Sequence, residues 1–421
     1  VDDEYVNALN NLGIALTDLG QLKAGAKSIE RAIEIDPNFA EAHNSLGNIF
    51  KKFKKRDKAL ICYERAYAIK PDMDFVLGGI LNSKMHLCIW DELSSQIEDL
   101  IRRVDNNEKT IDPFNQLGLI DNPALQRKVT KIRMNSAHPK SMALPLIKAY
   151  SKHPKIRIGY FSADFKIHPV ATLTAELYEV HDREHFEIHA FSYGPDTNDE
   201  MNLRIKVGVD HFHNVESMSH KDIALHARSL EIDIAVDLSG LTAKSRTDVF
   251  AMYAAPIQLS YIGYLGTMGA DYYDYLIADP VMIPQENQKH YVEKIVYLPS
   301  FQVNDSKDLP PEITLTRKEV GLPEEVFVFC CFNNTWKITP AVFDSWANIL
   351  QNVEKSVFII YIDNKLAEKN LIQEIKNRHI NPSRIIFADR YERPKYLARY
   401  RLADLFLDTH PYNAGTTASD A

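Results

Sequence analysis

A stretch of 34 residues occurs twice in succession near the start of the chain. Residues 5–38, YVNALNNLGIALTDLGQLKAGAKSIERAIEIDPN, align without a gap on residues 39–72, FAEAHNSLGNIFKKFKKRDKALICYERAYAIKPD. Ala8, Leu12, Gly13, Ala32, Ile35 and Pro37 thereby return as Ala42, Leu46, Gly47, Ala66, Ile69 and Pro71. A unit this short cannot bury a core alone, so each copy must stack on a neighbour. The small residues let paired helices approach closely, and the proline ends the second helix of each pair. The chain therefore begins as a helical array.

This period, with Leu-Gly early and a closing proline, resembles the tetratricopeptide repeat. Two copies bury too little, so more helices are expected beside them. Residues 77–103 keep a helical pattern with Trp90 and several leucines, and are expected to form a capping helix pair. Residues 1–110 alone carry no catalytic chemistry and read as an interaction solenoid.

The full 421 residues predict two or three domains, and 45% hydrophobic with 25% charged residues is ordinary for a globular protein. A net charge of -8 argues against nucleic acid as the main partner. No apolar run is long enough to span a bilayer. The chain opens on Val1 and not on methionine, so residues ahead of it are expected; with no signal peptide visible, the expected location is cytoplasmic. Cys62, Cys88, Cys330 and Cys331 have no CxxC spacing and read as reduced core residues.

Residues 111–154 mix turn signals with one helical stretch, ALQRKVTKIRMNSA, and are expected to form a connector. Beyond it, short β-branched and aromatic runs alternate with helical segments. Strands are expected at 155–162, 186–193, 232–240, 257–264 and 275–279. A second series is expected at 326–333, 356–363, 383–389 and 402–408. Such alternation predicts parallel sheets in two α/β domains, 155–310 and 311–421, with PPEITLTRKEVGLP as a hinge. Doubly wound sheets bind nucleotide-bearing ligands at the C-terminal ends of their strands.

Several residues stand at such ends. His168 follows the first strand and can act as a base or orient a hydroxyl, although a loop histidine needs no such role. The glycines of GYLGTMG, starting with Gly263, permit close backbone approach to a ligand, or only a turn. In CFNNTWKITP, Thr339 and Pro340 read as an N-cap and first helical residue, which leaves Lys337 in the preceding loop where an ammonium can neutralise a diphosphate. Asn334 and Trp336 lie beside it. The final HPYNAGTTASDA follows an apolar run and suits a helix start that receives an anion. There is no Gly-x-Gly-x-x-Gly after a strand, no phosphate-loop lysine motif, no Asp-x-Asp in a loop after a strand and no His-rich metal spacing. Lysine, arginine and helix starts would then handle phosphate without a metal.

Together, IGYFSADFKIHP, AAPIQLSYIGYLGTMG, FNNTWKITP, RIIFADR and RLADLFLDTHPYNAGTTASDA resemble the O-GlcNAc transferase family, tetratricopeptide-repeat glycosyltransferases that include the plant SPINDLY-like enzymes. The texture is bacterial. The resemblance implies tetratricopeptide helices followed by a GT-B arrangement of two doubly wound Rossmann-like domains, the second incomplete because the family continues past Ala421. It implies inverting, metal-independent transfer of N-acetylglucosamine from UDP-GlcNAc to Ser/Thr of proteins, with no cofactor. A protein acceptor held by the repeats is the implied partner, and repeat surfaces in this family can pair into a homo-oligomer.

By the same resemblance His168 lines the sugar and acceptor site, and Lys337 contacts the UDP diphosphate. Gly263 gives a backbone sugar contact, and Thr416, Thr417 and Asp420 hold the phosphates and ribose. Asn334 and Trp336 stand where the family often has glutamine and tyrosine. Gly415 replaces a frequent histidine. Arg393 and Tyr396 stand near a lysine and a histidine of the animal enzymes, so contacts to uracil and ribose differ there. A GDP-fucose donor, transfer of a hexose to asparagine, or a scaffold with a vestigial transferase portion are the alternatives.

Overall fold

In the computed structural model, which describes residues 3–308 and 312–421, the chain opens with paired antiparallel helices. These are α1 (Asp3–Asp18), α2 (Leu22–Ile35), α3 (Ala40–Lys52), α4 (Arg56–Ile69), α5 (Val76–Leu87) and α6 (Leu93–Asp105), followed by the short α7 (Pro113–Leu117). The two repeat glycines explain the tight pairing. A Cβ on Gly13 would stand 2.3 Å from Ile29 of α2, and one on Gly47 would stand 2.7 Å from the Tyr63 ring of α4. Ile29, Ala32, Ala42, Leu46 and Ile49 form the buried seam between the repeats. The capping pair expected over 77–103 is α5 and α6.

The next segment begins with α8 (Pro123–Ala137), capped by the Asn122 side chain, which accepts from Leu125 N. Then strands and helices alternate: β1 (Ile156–Ser162), α9 (Pro169–Val180), β2 (Phe186–Ser192), α10 (Glu200–Gly208), β3 (His211–Asn214), α11 (His220–Ser229), β4 (Ile234–Asp237), α12 (Thr247–Ala251), β5 (Ile257–Ser260), β6 (Tyr275–Ala278) and β7 (Lys294–Tyr297). They build one parallel sheet in the order β3-β2-β1-β4-β5-β6-β7. The five expected strands are present, and β3 and β7 are additional. Both lie at sheet edges and have no fully buried residue, so neither carries a continuous apolar run.

The last segment contains β8 (Phe327–Cys331), α13 (Pro340–Asn352), β9 (Ser356–Tyr361), α14 (Lys365–Asn377), β10 (Ile385–Ala388), α15 (Arg393–Arg399), β11 (Leu405–Phe406) and α16 (Thr416–Asp420). Its parallel sheet runs β10-β9-β8-β11. All four strands of the second series are found, each shorter than its apolar run. The Thr339 hydroxyl accepts from Val342 N and Pro340 opens α13, as the sequence predicts. The fold class is thus tetratricopeptide helices followed by two parallel-sheet α/β domains. The first two residues of the expected hinge, Pro310 and Pro311, and the chain start Val1 lie outside the described residues.

Two compact units result: Val1–Asp121 with Pro310–Ala421, and Asn122–Leu309. The stretch expected as one connector, 111–154, is divided between them. Within the first unit the capping helices are packed onto the second sheet domain. Trp90 meets Phe343 with ring centroids 5.3 Å apart, Asn370 Nδ2 donates to Leu87 O at 2.8 Å, and Thr335 Oγ1 donates to His86 O at 2.9 Å. All four cysteines are buried and free. Among the described residues no helix is long and apolar enough to cross a membrane.

Candidate functional site

In the first unit the candidate residues gather where β8 and β11 end. The chain leaves β8 through Asn333 and Asn334 into a 3-10 turn, Thr335–Lys337, before α13. Trp336 is buried there against Phe114 of α7 and Tyr412, with centroids 5.5 and 5.1 Å away. The fit is close, since a Cβ on Gly118 would stand 2.4 Å from the Trp336 ring. The helical segment therefore buttresses the turn that carries Lys337, while Asn334 is exposed beside it.

Lys337 Nζ donates to Asn413 O at 3.0 Å and sits 4.4 Å from the Tyr412 ring centroid. Burial pushes its ammonium down to about 8, opposed by the nearby Asp408 carboxylate. The cation is therefore held there at a cost in desolvation.

The loop receiving it is built by Asp408, at the end of the last apolar run. Its Oδ1 accepts from Thr409 N and Ala414 N, both at 2.7 Å, and its Oδ2 accepts from Asn413 Nδ2 at 3.2 Å. Asn333, buried after β8, donates to Thr409 Oγ1 at 2.9 Å and accepts from Thr417 Oγ1 at 2.5 Å. Tyr400 OH donates to Thr417 O at 3.0 Å. Thr416 opens α16, and Gly415 precedes it as the cap residue. Arg393 and Asp420 form an ion pair at 3.0 Å, while the hydroxyls of Tyr396 and Tyr400 are 2.7 Å apart. Lys337, Trp336, Asn334, Arg393, Thr416, Thr417 and Asp420 thus all belong to one unit. Asn333, Asp408, Tyr412 and Tyr400 hold this arrangement together and were not singled out from the sequence. Asn333 and Asp408 had one legible signal: each follows an apolar strand run directly.

His168 and Gly263 belong to the second unit, after β1 and β5. His168 caps α9, its Nδ1 accepting from Val170 N at 3.3 Å, with Asp164 Oδ2 at 3.6 Å. Burial, partly offset by Asp164, lowers its pKa, so the ring is neutral near pH 7. With Nδ1 as acceptor the proton sits on Nε2, so the half-exposed face of the ring offers an N–H donor. That suits orienting a hydroxyl or sugar oxygen better than taking its proton.

Gly263 is fixed by a backbone constraint. A Cβ there would lie 2.0 Å from Leu238 O, so the turn after β5 nests against the turn after β4. Asp237 ties the latter down: Oδ1 accepts from Ser239 N and Gly240 N, each at 2.9 Å, and Oδ2 from Tyr273 OH at 2.6 Å. Buried Glu293 does the same for the following loop, accepting from Thr267 Oγ1 at 2.6 Å and from Met268 N.

The model of the tetratricopeptide repeat matches residues 6–39 and 40–73, one position from the sequence-based bounds. The model of glycosyl transferase family 41 matches residues 124–315 and 302–421. An Arabidopsis thaliana protein described as the probable UDP-N-acetylglucosamine–peptide N-acetylglucosaminyltransferase SEC is 32% identical over 365 residues, covering 81% of this chain and 37% of the relative. A Caenorhabditis elegans UDP-N-acetylglucosamine–peptide N-acetylglucosaminyltransferase is 24% identical over 469 residues, covering 79% of this chain and 40% of the relative. The chain thus spans about two-fifths of the length of these two relatives. A solved structure of a lysine-to-methionine mutant of Thermobaculum terrenum O-GlcNAc transferase superposes with a TM-score of 0.78 at 23% identity, over 100% of this chain and 81% of that one, and shows the shared fold. The family match over more than half its length, together with the repeats and the two parallel sheets, means that this chain belongs to glycosyl transferase family 41.

Proposed function

We propose that the chain carries the working parts of an inverting, metal-independent transferase that moves N-acetylglucosamine from UDP-GlcNAc to serine or threonine of a protein held by the tetratricopeptide helices. The observation that carries this reading is Lys337. It is a half-buried cation with a depressed pKa, aimed at the loop that leads into Thr416 and Thr417. In the proposed step the acceptor hydroxyl oxygen bonds to the anomeric carbon as the bond to the β-phosphate oxygen breaks. The electron pair leaves with UDP, whose charge is met by Lys337 and the start of α16, and the hydroxyl proton is released to solvent water. His168 donates through Nε2 to orient the sugar or acceptor. Positioning and charge stabilisation supply most of the rate. The donor set fits a nucleotide sugar, and the relatives' printed names support the choice of donor.

Two measurements test it. UDP at about 100 times its Kd is expected to stabilise the protein by about 2.7 kcal/mol in a thermal-shift assay, with GDP doing far less. Stabilisation by GDP alone would defeat the assignment of UDP and point to a GDP-sugar donor.

The second concerns pH. Lys337 is charged below about pH 8 in the free protein. A diphosphate needs that charge, so above pH 8 binding must recapture a proton. UDP affinity is therefore expected to fall as pH rises past 8, by up to about tenfold per unit, in an isothermal titration series. Lys337→Arg, charged throughout, should flatten that slope; an unchanged slope in the arginine variant would remove Lys337 from the site.

A further inference from the structure

Strands β2 and β3 place three metal-ligating side chains together at the N-terminal edge of the first parallel sheet. Glu187 and His189 are two residues apart on β2 and so share a face. Register pairs His189 directly with His211, the first residue of β3. The ligand atoms of Glu187, His189 and His211 all lie within 4.8 Å of one another, and among the described residues no other set of His, Cys, Asp and Glu does this. Glu187 Oε1 is 2.9 Å from His211 Nε2 and 3.5 Å from His189 Nε2. In a tetrahedral zinc site with bonds of about 2.0–2.2 Å, neighbouring ligand atoms stand about 3.3–3.5 Å apart, so small shifts of exposed His211 would complete the geometry.

An independent feature points into the same place. His189 is 3% exposed, and its Nε2 is buried without a hydrogen-bond partner. Its Nδ1 is 3.0 Å from His213 Nε2, and His213 Nδ1 is 3.2 Å from His226 Nε2. That chain lets His189 donate from Nδ1, which leaves the Nε2 lone pair facing Glu187. A ligating histidine is ordinarily held in this way by its other nitrogen. Arg157 Nε donates to Glu187 Oε2 at 3.0 Å, fixing the carboxylate with Oε1 on the side of the histidines.

We propose that Glu187, His189 and His211 form a binding site for a divalent transition metal, with Zn2+ the fitting ion, and with the fourth position open to water beside His211. Two imidazoles and one carboxylate are a borderline donor set that suits Zn2+ over Mg2+ or Ca2+. The site clips edge strand β3 to β2. It stands at the opposite end of the strands from His168 and Gly263, so it acts on the stability of the sheet edge and takes no part in the transfer step.

The test is titration of tag-free, chelator-stripped protein with Co2+, read by visible absorption, then displacement by Zn2+. One equivalent with a tetrahedral-type spectrum is expected. His211→Ala, an exposed position that leaves the core intact, should abolish that spectrum. His213→Ala, which removes the partner of His189 Nδ1, should weaken binding by about 10–100-fold. Zn2+ should also raise the melting temperature of the wild type and not that of His211→Ala. Failure of the wild type to take up Co2+, or equal uptake by wild type and His211→Ala, overturns the proposal.

Discussion

Lys337→Ala is expected to lower UDP release from UDP-GlcNAc in the presence of acceptor protein by about 10²–10³-fold, the usual cost of removing one preorganised group that meets charge developing in a transition state. The loss should fall mainly on kcat, because the leaving diphosphate bears most charge as the glycosidic bond breaks. The measurement is best made on a chain extended to the length of the relatives, of which this one spans about two-fifths. The substitution also removes the contacts to Asn413 O and the Tyr412 ring. Lys337→Met keeps most of the buried stem and separates loss of charge from loss of packing. If both variants turn over at the wild-type rate, the leaving-group role is wrong. If alanine alone is impaired, the lysine is a packing residue of the 408–415 loop.

Gly263→Ala should strongly destabilise the second unit. Its Cβ would lie 2.0 Å from Leu238 O and 2.9 Å from Leu238 C, both backbone atoms on a turn pinned by Asp237. No side-chain rotation relieves such a clash, so the two turns must separate at a cost of about 3 kcal/mol. At about 2–4 °C per kcal/mol for a unit of this size, the transition of the second unit should fall by roughly 6–12 °C. Hydrogen exchange at the Asp237 and Gly263 turns would localise the effect. A variant that melts with the wild type would show that the turn after β5 does not rest on Leu238, and a sugar contact from that backbone would lose its support.

The site was partly legible before the structure. Lys337 was readable because Thr339-Pro340 marks a helix start and the apolar run FVFCC marks the strand before it, so the residue between had to occupy the loop. Thr416 and Thr417 were readable as small polar residues after LADLFLD, although only Leu405–Phe406 of that run pairs as a strand. The bonds that join the residues shaping the loop were not readable. Asp408 and Asn333 are 75 positions apart, and Asn333 and Thr417 are 84 apart. His168 was legible as a post-strand histidine, but its tautomer follows from the bond to Val170 N and alters the role it suits.

The sequence by itself determined the helical repeats, the alternation of strands and helices, and the loops where chemistry could sit. Each of these is written in the spacing of residues a few positions apart, because helix and strand periods act over one or two turns of backbone. Only the tertiary structure decided that Gly118 supports Trp336, that Gly263 has no room for a side chain, and that His189 stands beside His211 with an unpaired nitrogen. Those facts depend on sheet register and on packing between distant segments. A single chain's local pattern leaves both open, because many pairings would bury the same apolar faces.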